Sequence, residues 1–120
     1  MSAKDCQRAQ RAYKQVASRI EHINADKYKT FALAFPALIH SCGLAQALAY
    51  AQAKSVQEYQ QDLAFVVGYK NLEALATQSR EAQLPEYRRL TYEVLNSASW
   101  IKRYVEAFFK NKDDEESEDG

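Results

Sequence analysis

A chain of 120 residues, 47% hydrophobic, holds one domain with one core, and its three glycines and two prolines are too few for the turns of a β-rich fold. The net charge of zero hides an asymmetry: residues 113–120 (DDEESEDG) hold six of the sixteen acids, so the rest carries sixteen bases against ten acids, a net of +6. The longest apolar stretch, Phe31 to Ile39, is nine residues and too short for a bilayer, and with no apolar signal near the start and two unframed cysteines, Cys6 and Cys42, the expected compartment is the reduced cytoplasm.

From Ala3 to Ile23 the apolar residues Ala9, Ala12, Tyr13, Val16, Ala17, Ile20 and Ile23 recur in steps that mark one face of an amphipathic helix. Asn24-Ala25-Asp26 breaks the pattern, and Asp26 suits an N-cap for a second helix from Lys27 to about Cys42. Pro36 inside that helix predicts a kink or a restart, and Gly43 predicts its stop and a sharp corner. The nearly uncharged LAQALAYAQA of residues 44–53 predicts a short buried third helix that includes Tyr50. A fourth is expected from about Val56 to Gln83. It has two apolar seams, one of Tyr59, Leu63, Val66 and Val67 and one of Phe65, Tyr69, Leu72 and Ala76, with Gly68 closely packed at its middle. Leu84-Pro85-Glu86 opens the last helix, whose inner face reads Tyr87, Leu90, Val94, Ala98, Ile101, Val105 and Phe108. The expected fold is all-α: one bundle of about five helices over residues 1–111, without a sheet. A disordered acidic tail is expected over residues 112–120, since that composition has nothing to bury.

Chemistry needs converging groups, and the chain offers few. His22 and His40 fall on different helices, with no metal-ligand spacing to either cysteine, and no phosphate-loop, dinucleotide or HExxH motif occurs. No catalytic residue, metal or cofactor is assigned. Basic residues are more ordered. Lys4, Arg8, Arg11 and Arg19 fall in one acid-free strip of the first helix, and Arg88, Arg103 and Lys110 share a face of the last with Tyr92, Asn96 and Ser99, Arg89 lying at its edge. Such strips suit backbone phosphates, and they equally suit an ordinary solvated face. Tyrosines, with Tyr13, Tyr28 and Tyr87 on core faces and Tyr92 outside, either rim the core or stack on bases.

The run KYKTFALAFPALIHSCGLAQALAY, Lys27 to Tyr50, resembles the small helical subunit of type III-B CRISPR effector complexes, the Cmr ribonucleoprotein. The likeness rests on Lys27-Tyr28, on Phe35-Pro36-Ala37-Leu38-Ile39 and on Gly43-Leu44-Ala45-Gln46-Ala47-Leu48-Ala49. A second segment, Trp100-Ile101-Lys102-Arg103-Tyr104-Val105-Glu106-Ala107, is similar to that family's C-terminal pattern. With Arg11 and Ala12, the resemblance covers most of residues 3–110. Ser41-Cys42 departs from the Asn common before the glycine, and the acidic tail is not a family feature.

The resemblance implies a non-catalytic bundle whose copies stack as a short filament. Its implied partners are the backbone and large subunits of the effector, further copies of itself, and the guide and target RNA. It also implies phosphate contact for Lys102 and Arg103. Arg8, Arg11, Arg88 and Arg89 join them by helical face alone. Pro36 and Gly43 read as scaffold, and Trp100 as a packing residue between helices or subunits. Competing readings are an interaction adaptor without nucleic-acid contact, and a small enzyme or metal protein using His22, His40 or the cysteines.

Overall fold

The computed structural model describes residues 2–119, with side chains as far as Phe109. The acidic tail expected over residues 112–120 therefore lies outside the described side chains. Six helices follow in order: α1 (Ala3–Ala17), α2 (Ala25–Cys42), α3 (Leu44–Lys54), α4 (Gln57–Val67), α5 (Leu72–Glu81) and α6 (Leu84–Asp119). No strand occurs among the described residues.

The first helix is shorter than its periodicity predicts. The Ser2 hydroxyl caps it by accepting the Asp5 N–H at 3.1 Å, and Asp5 in the first turn complements the helix dipole. At the other end the Ser18 hydroxyl donates to the Gln15 carbonyl at 2.7 Å, and turns replace the helix until Asn24. Ile23, expected on the inner face, is 93% exposed in consequence. Asn24, not Asp26, is the N-cap of α2.

Pro36 does not restart α2, which runs as one helix from Ala25 to Cys42 and buries the ring. Burying the ring against the bundle offsets the backbone hydrogen bond it cannot donate. Gly43 makes the corner as expected. Its φ of 83° is the left-handed region, and an added Cβ would sit an ordinary 3.6 Å from the Tyr87 hydroxyl, so backbone conformation rather than space selects glycine. The corner ends α2 and starts α3, whose Leu44, Ala47, Leu48 and Ala51 are buried. Tyr50 is not. It lies 49% exposed against Phe31, ring centroids 6.1 Å apart, so α3 is one-sided rather than apolar all round.

The fourth helix of the sequence reading is two. Gly68 takes φ 106° and closes α4, with the N–H groups of Gly68 and Tyr69 both donating to the Ala64 carbonyl at 2.9 and 2.8 Å. Asn71 then caps α5 through the Ala74 N–H at 2.8 Å. The expected second seam joined residues on either side of this break, so Phe65 is 43% exposed while Leu72 and Ala76 are buried.

α6 is the spine. It packs on α1, α2 and α4, presenting Leu90, Val94, Ala98, Ile101 and Val105, all fully buried. Phe109 rather than Phe108 closes this face; Phe108 turns aside to Tyr13, centroids 5.3 Å apart, and Tyr13 is itself 53% exposed. Each such large apolar side chain contributes roughly 1.5–3 kcal/mol on leaving water, which fixes the orientation of α6 against α1.

A basic groove between α1, α4 and α6

Two polar regions grow from α1. The first is internal. Asp62 on α4 has no exposure, and its carboxylate accepts four hydrogen bonds. Gln15 Nε2 and Arg19 Nη2 donate to Oδ1, each at 2.8 Å, while Arg19 Nε at 3.0 Å and the Tyr28 hydroxyl at 2.7 Å donate to Oδ2. A carboxylate has about four acceptor positions, so Asp62 is saturated. The hydrogen bond to Asp62 raises the Arg19 pKa, and burial first, then the Asp62 charge, raise that of Tyr28. Beside it the Tyr59 hydroxyl is buried without a hydrogen-bond partner among the described residues, and burial lifts its pKa too. The cluster binds α1, α2 and α4 together. Periodicity could have found Asp62: three residues after Tyr59 and four before Val66, it falls on the inner face of α4.

The second region is open. Lys4, Gln7, Arg8 and Arg11 of α1, Val66 and Val67 of α4, and Arg89 and Glu93 of α6 surround a groove of about 200 Å³. Arg8 is the innermost, 6% exposed, donating to Asn96 Oδ1 at 3.2 Å and lying 3.5 Å from Asp5 and 3.8 Å from Glu93. Arg11 lays its guanidinium 5.6 Å from the Phe65 ring centroid. Arg89 donates to Glu86 and, at 2.8 Å, to Glu93. The acid-free strip inferred for α1 therefore has acids after all. One is local, Asp5 three residues before Arg8 on α1 itself, and the others, Asp62 of α4 and Glu93 of α6, are not revealed by the helical face of α1 alone.

Of the six residues marked for RNA, Arg8, Arg11 and Arg89 share this groove. Arg103 follows along the same side of α6, because residues 89, 96 and 103 are seven apart. Arg103 lies 5.2 Å over the Trp100 ring, and both line a notch with Asp5, Asn96 and Ser99. Trp100 is half-buried and stacks on Tyr104, centroids 5.8 Å apart. Arg88 and Lys102 fall on the neighbouring stripe with Leu95 and Phe109, roughly 100° around the helix, and do not enter the groove. Arg88 is exposed and Lys102 half-buried. Lys4, at the groove mouth, was missing from the six.

Elsewhere, His22 accepts the Asn24 N–H on Nδ1 at 3.2 Å and faces Glu58 at 3.6 Å, while His40 is exposed near the end of α2. No group of His, Cys, Asp and Glu among the described residues is arranged to hold a metal ion. No helix among them is long and apolar enough to cross a membrane. A second groove, about 740 Å³ and mainly apolar, runs between α2 and α3, with Phe31, Phe35, Leu38 and Tyr50 in its walls and Lys27 and Lys54 at its edges.

Residues 4–108 match the family Cas_Cmr5, CRISPR-associated protein. The chain is similar to the CRISPR system Cmr subunit Cmr5 of Thermus thermophilus, with 39% identity over 105 residues, covering 85% of this chain and 92% of that one. It is also similar to the crystal structure of a CRISPR-associated Cmr5 family protein from the same organism, at a TM-score of 0.84 and 38% identity, covering 89% of this chain and 97% of the other.

Proposed function

The chain belongs to the Cas_Cmr5 family of CRISPR-associated proteins, and from that premise we propose that it is the small, non-catalytic subunit of a type III-B CRISPR effector, the Cmr complex. In this reading several copies stack as a short filament beside the backbone and large subunits in the cytoplasm, and each touches the backbone of the guide or target RNA during antiviral defence.

The observation that supports RNA contact best is the convergence of Lys4, Arg8, Arg11 and Arg89 on one groove, four cations against Glu93 in the lining and Asp5 and Glu86 beside it. Backbone phosphates ask for positive charge and N–H donors and for no base edge, and the groove supplies both. Arg103 extends the positive side of α6, with Arg88 and Lys102 as a flanking stripe that meets a second strand or a neighbouring subunit. The apolar groove between α2 and α3 supports the protein-contact half of the reading, and it is also what favours the adaptor alternative. The non-catalytic reading is supported by His22 being engaged with Glu58 and Asn24.

Recovery of the tagged chain from its source cells tests the assignment. Guide RNA and the other effector subunits are the expected companions. Partner proteins without guide RNA would replace this reading with the adaptor. The groove has its own test in the assembled complex: Arg11→Glu with Arg89→Glu weakens RNA retention and flattens its salt dependence, whereas unchanged retention removes the groove from the RNA path.

A further inference from the structure

Resting on the reading that this face meets RNA, we propose that the notch between α1 and α6 takes a single unpaired nucleobase, guanine before the others. The notch encloses about 120 Å³, room for one planar group, and its walls are Asp5, Asn96, Ser99, Trp100 and Arg103. Those walls are of two kinds. The Arg103 guanidinium already lies over the Trp100 indole, 5.2 Å from its centroid, so the two form one layered platform, and an unstacked base rests on the exposed outer side of that layer. Asp5, Asn96 and Ser99 are edge readers.

The edge readers fit guanine best. An unpaired guanine presents two neighbouring N–H donors and a carbonyl acceptor along its pairing edge. Asp5 supplies acceptor oxygens only, and Arg8 holds it from behind at 3.5 Å. Asn96 Oδ1 is already engaged by Arg8 at 3.2 Å, which leaves its amide N–H groups for the base carbonyl. Uracil, which presents two carbonyls and one N–H, places an acceptor against the Asp5 carboxylate and is disfavoured. The notch thus adds base reading to a surface whose other cations read only phosphate, and it sits where a base leaving the strand in the adjoining groove would land.

Trp100 is the sole tryptophan of the chain, so its fluorescence reports on this notch alone. The full-length protein is titrated at low salt with GMP, IMP and UMP, and with a short single-stranded RNA and an abasic oligomer of equal charge. Stacking quenches the indole. The expected order is GMP, then IMP, which lacks the second N–H donor, about tenfold weaker, then UMP, and Asp5→Asn erases the GMP–IMP difference. The wild-type series stands without that variant should it fold poorly. Oligomer binding with no base-dependent quenching defeats the notch and leaves the phosphate reading intact. Quenching by GMP while neither oligomer binds keeps the notch and defeats the phosphate reading. Silence towards every nucleotide and oligomer overturns both. Quenching by the other effector subunits without RNA overturns the proposal in favour of a protein side chain seated there.

Discussion

In the turn just after α1, Arg19 meets a carboxylate whose four acceptor positions are all filled from within the chain. On α1 itself, Arg8 and Arg11 meet a groove in which Lys4 and Arg89 add two more cations, and three carboxylates answer the four: Glu93 in the lining, Asp5 beside Arg8 and Glu86 beside Arg89. One is a charged site on an amphipathic helix and the other lies in the turn that follows it, yet they differ in stoichiometry. Where donors and acceptors match, the site is closed and its energy belongs to the fold. Where cations exceed anions, the site has capacity for an external polyanion, and its residual positive potential is available for binding. A basic residue thus has to be weighed with the acids facing it from every neighbouring helix before it is assigned to a ligand.

The largest expected effect comes from opening the closed site. Asp62→Ala leaves Arg19, Tyr28 and Gln15 without their acceptor, at a cost of about 3 kcal/mol in denaturant unfolding. This is the lower end for a broken buried pair, because the Arg19 side chain keeps 17% of its exposure and reaches water. A loss below about 1 kcal/mol would mean the cluster is dispensable and the contrast false.

Next is the open site. Arg11→Glu with Arg89→Glu leaves the urea midpoint close to that of the unaltered chain, since exposed ion pairs contribute little. RNA affinity falls by at least about tenfold, and the slope of log affinity against log salt drops by about 2 as two phosphate contacts vanish. A stability loss like that of Asp62→Ala would show that the groove belongs to the fold instead.

The third test uses pH. Burial holds the Tyr28 and Tyr59 hydroxyls above their ordinary pKa, so the folded chain keeps protons that the unfolded chain gives up above about pH 10. The stability these groups contribute is complete below that value and falls as pH rises through it. Urea midpoints should therefore drop between about pH 9 and about pH 11, and Tyr28→Phe should reduce the drop. An equal drop in the variant would place the dependence elsewhere. Smallest is Gly68→Ala, at about 1 kcal/mol for a Cβ at φ 106°. Its Cβ would lie 3.6 Å from Arg11 Nη1, so a parallel change in RNA binding would reveal coupling between the turn and the groove.

What the sequence made legible was local. Gly43, the amphipathic face of α6 and the burial of Tyr28 all follow from spacing and backbone preference. The break at Gly68 was equally local, since Gly-Tyr-Lys-Asn pairs a left-handed stop with an N-cap, but two continuous-looking apolar seams outweighed it. The fates of Arg8 and Arg19 were not local. Arg19 is decided by Asp62 of α4, and Arg8, beside Asp5 of its own helix, is drawn inward to Glu93 and Asn96 of α6, partners that only folding brings near. Arg88 and Arg89 make the same point in adjacent residues: one enters the groove and the other does not, because one step along a helix is about 100°.

The corner at Gly43 has a consequence for synthesis. The Ala45 N–H, near the start of α3, finds its acceptor not in its own turn but in the Tyr87 hydroxyl at 3.1 Å, 42 residues downstream. As the chain leaves the ribosome, α2 and α3 emerge with that amide unanswered, and the corner stays unlocked until the beginning of α6 arrives. The sixth helix is therefore the one that fastens a joint laid down 42 residues earlier.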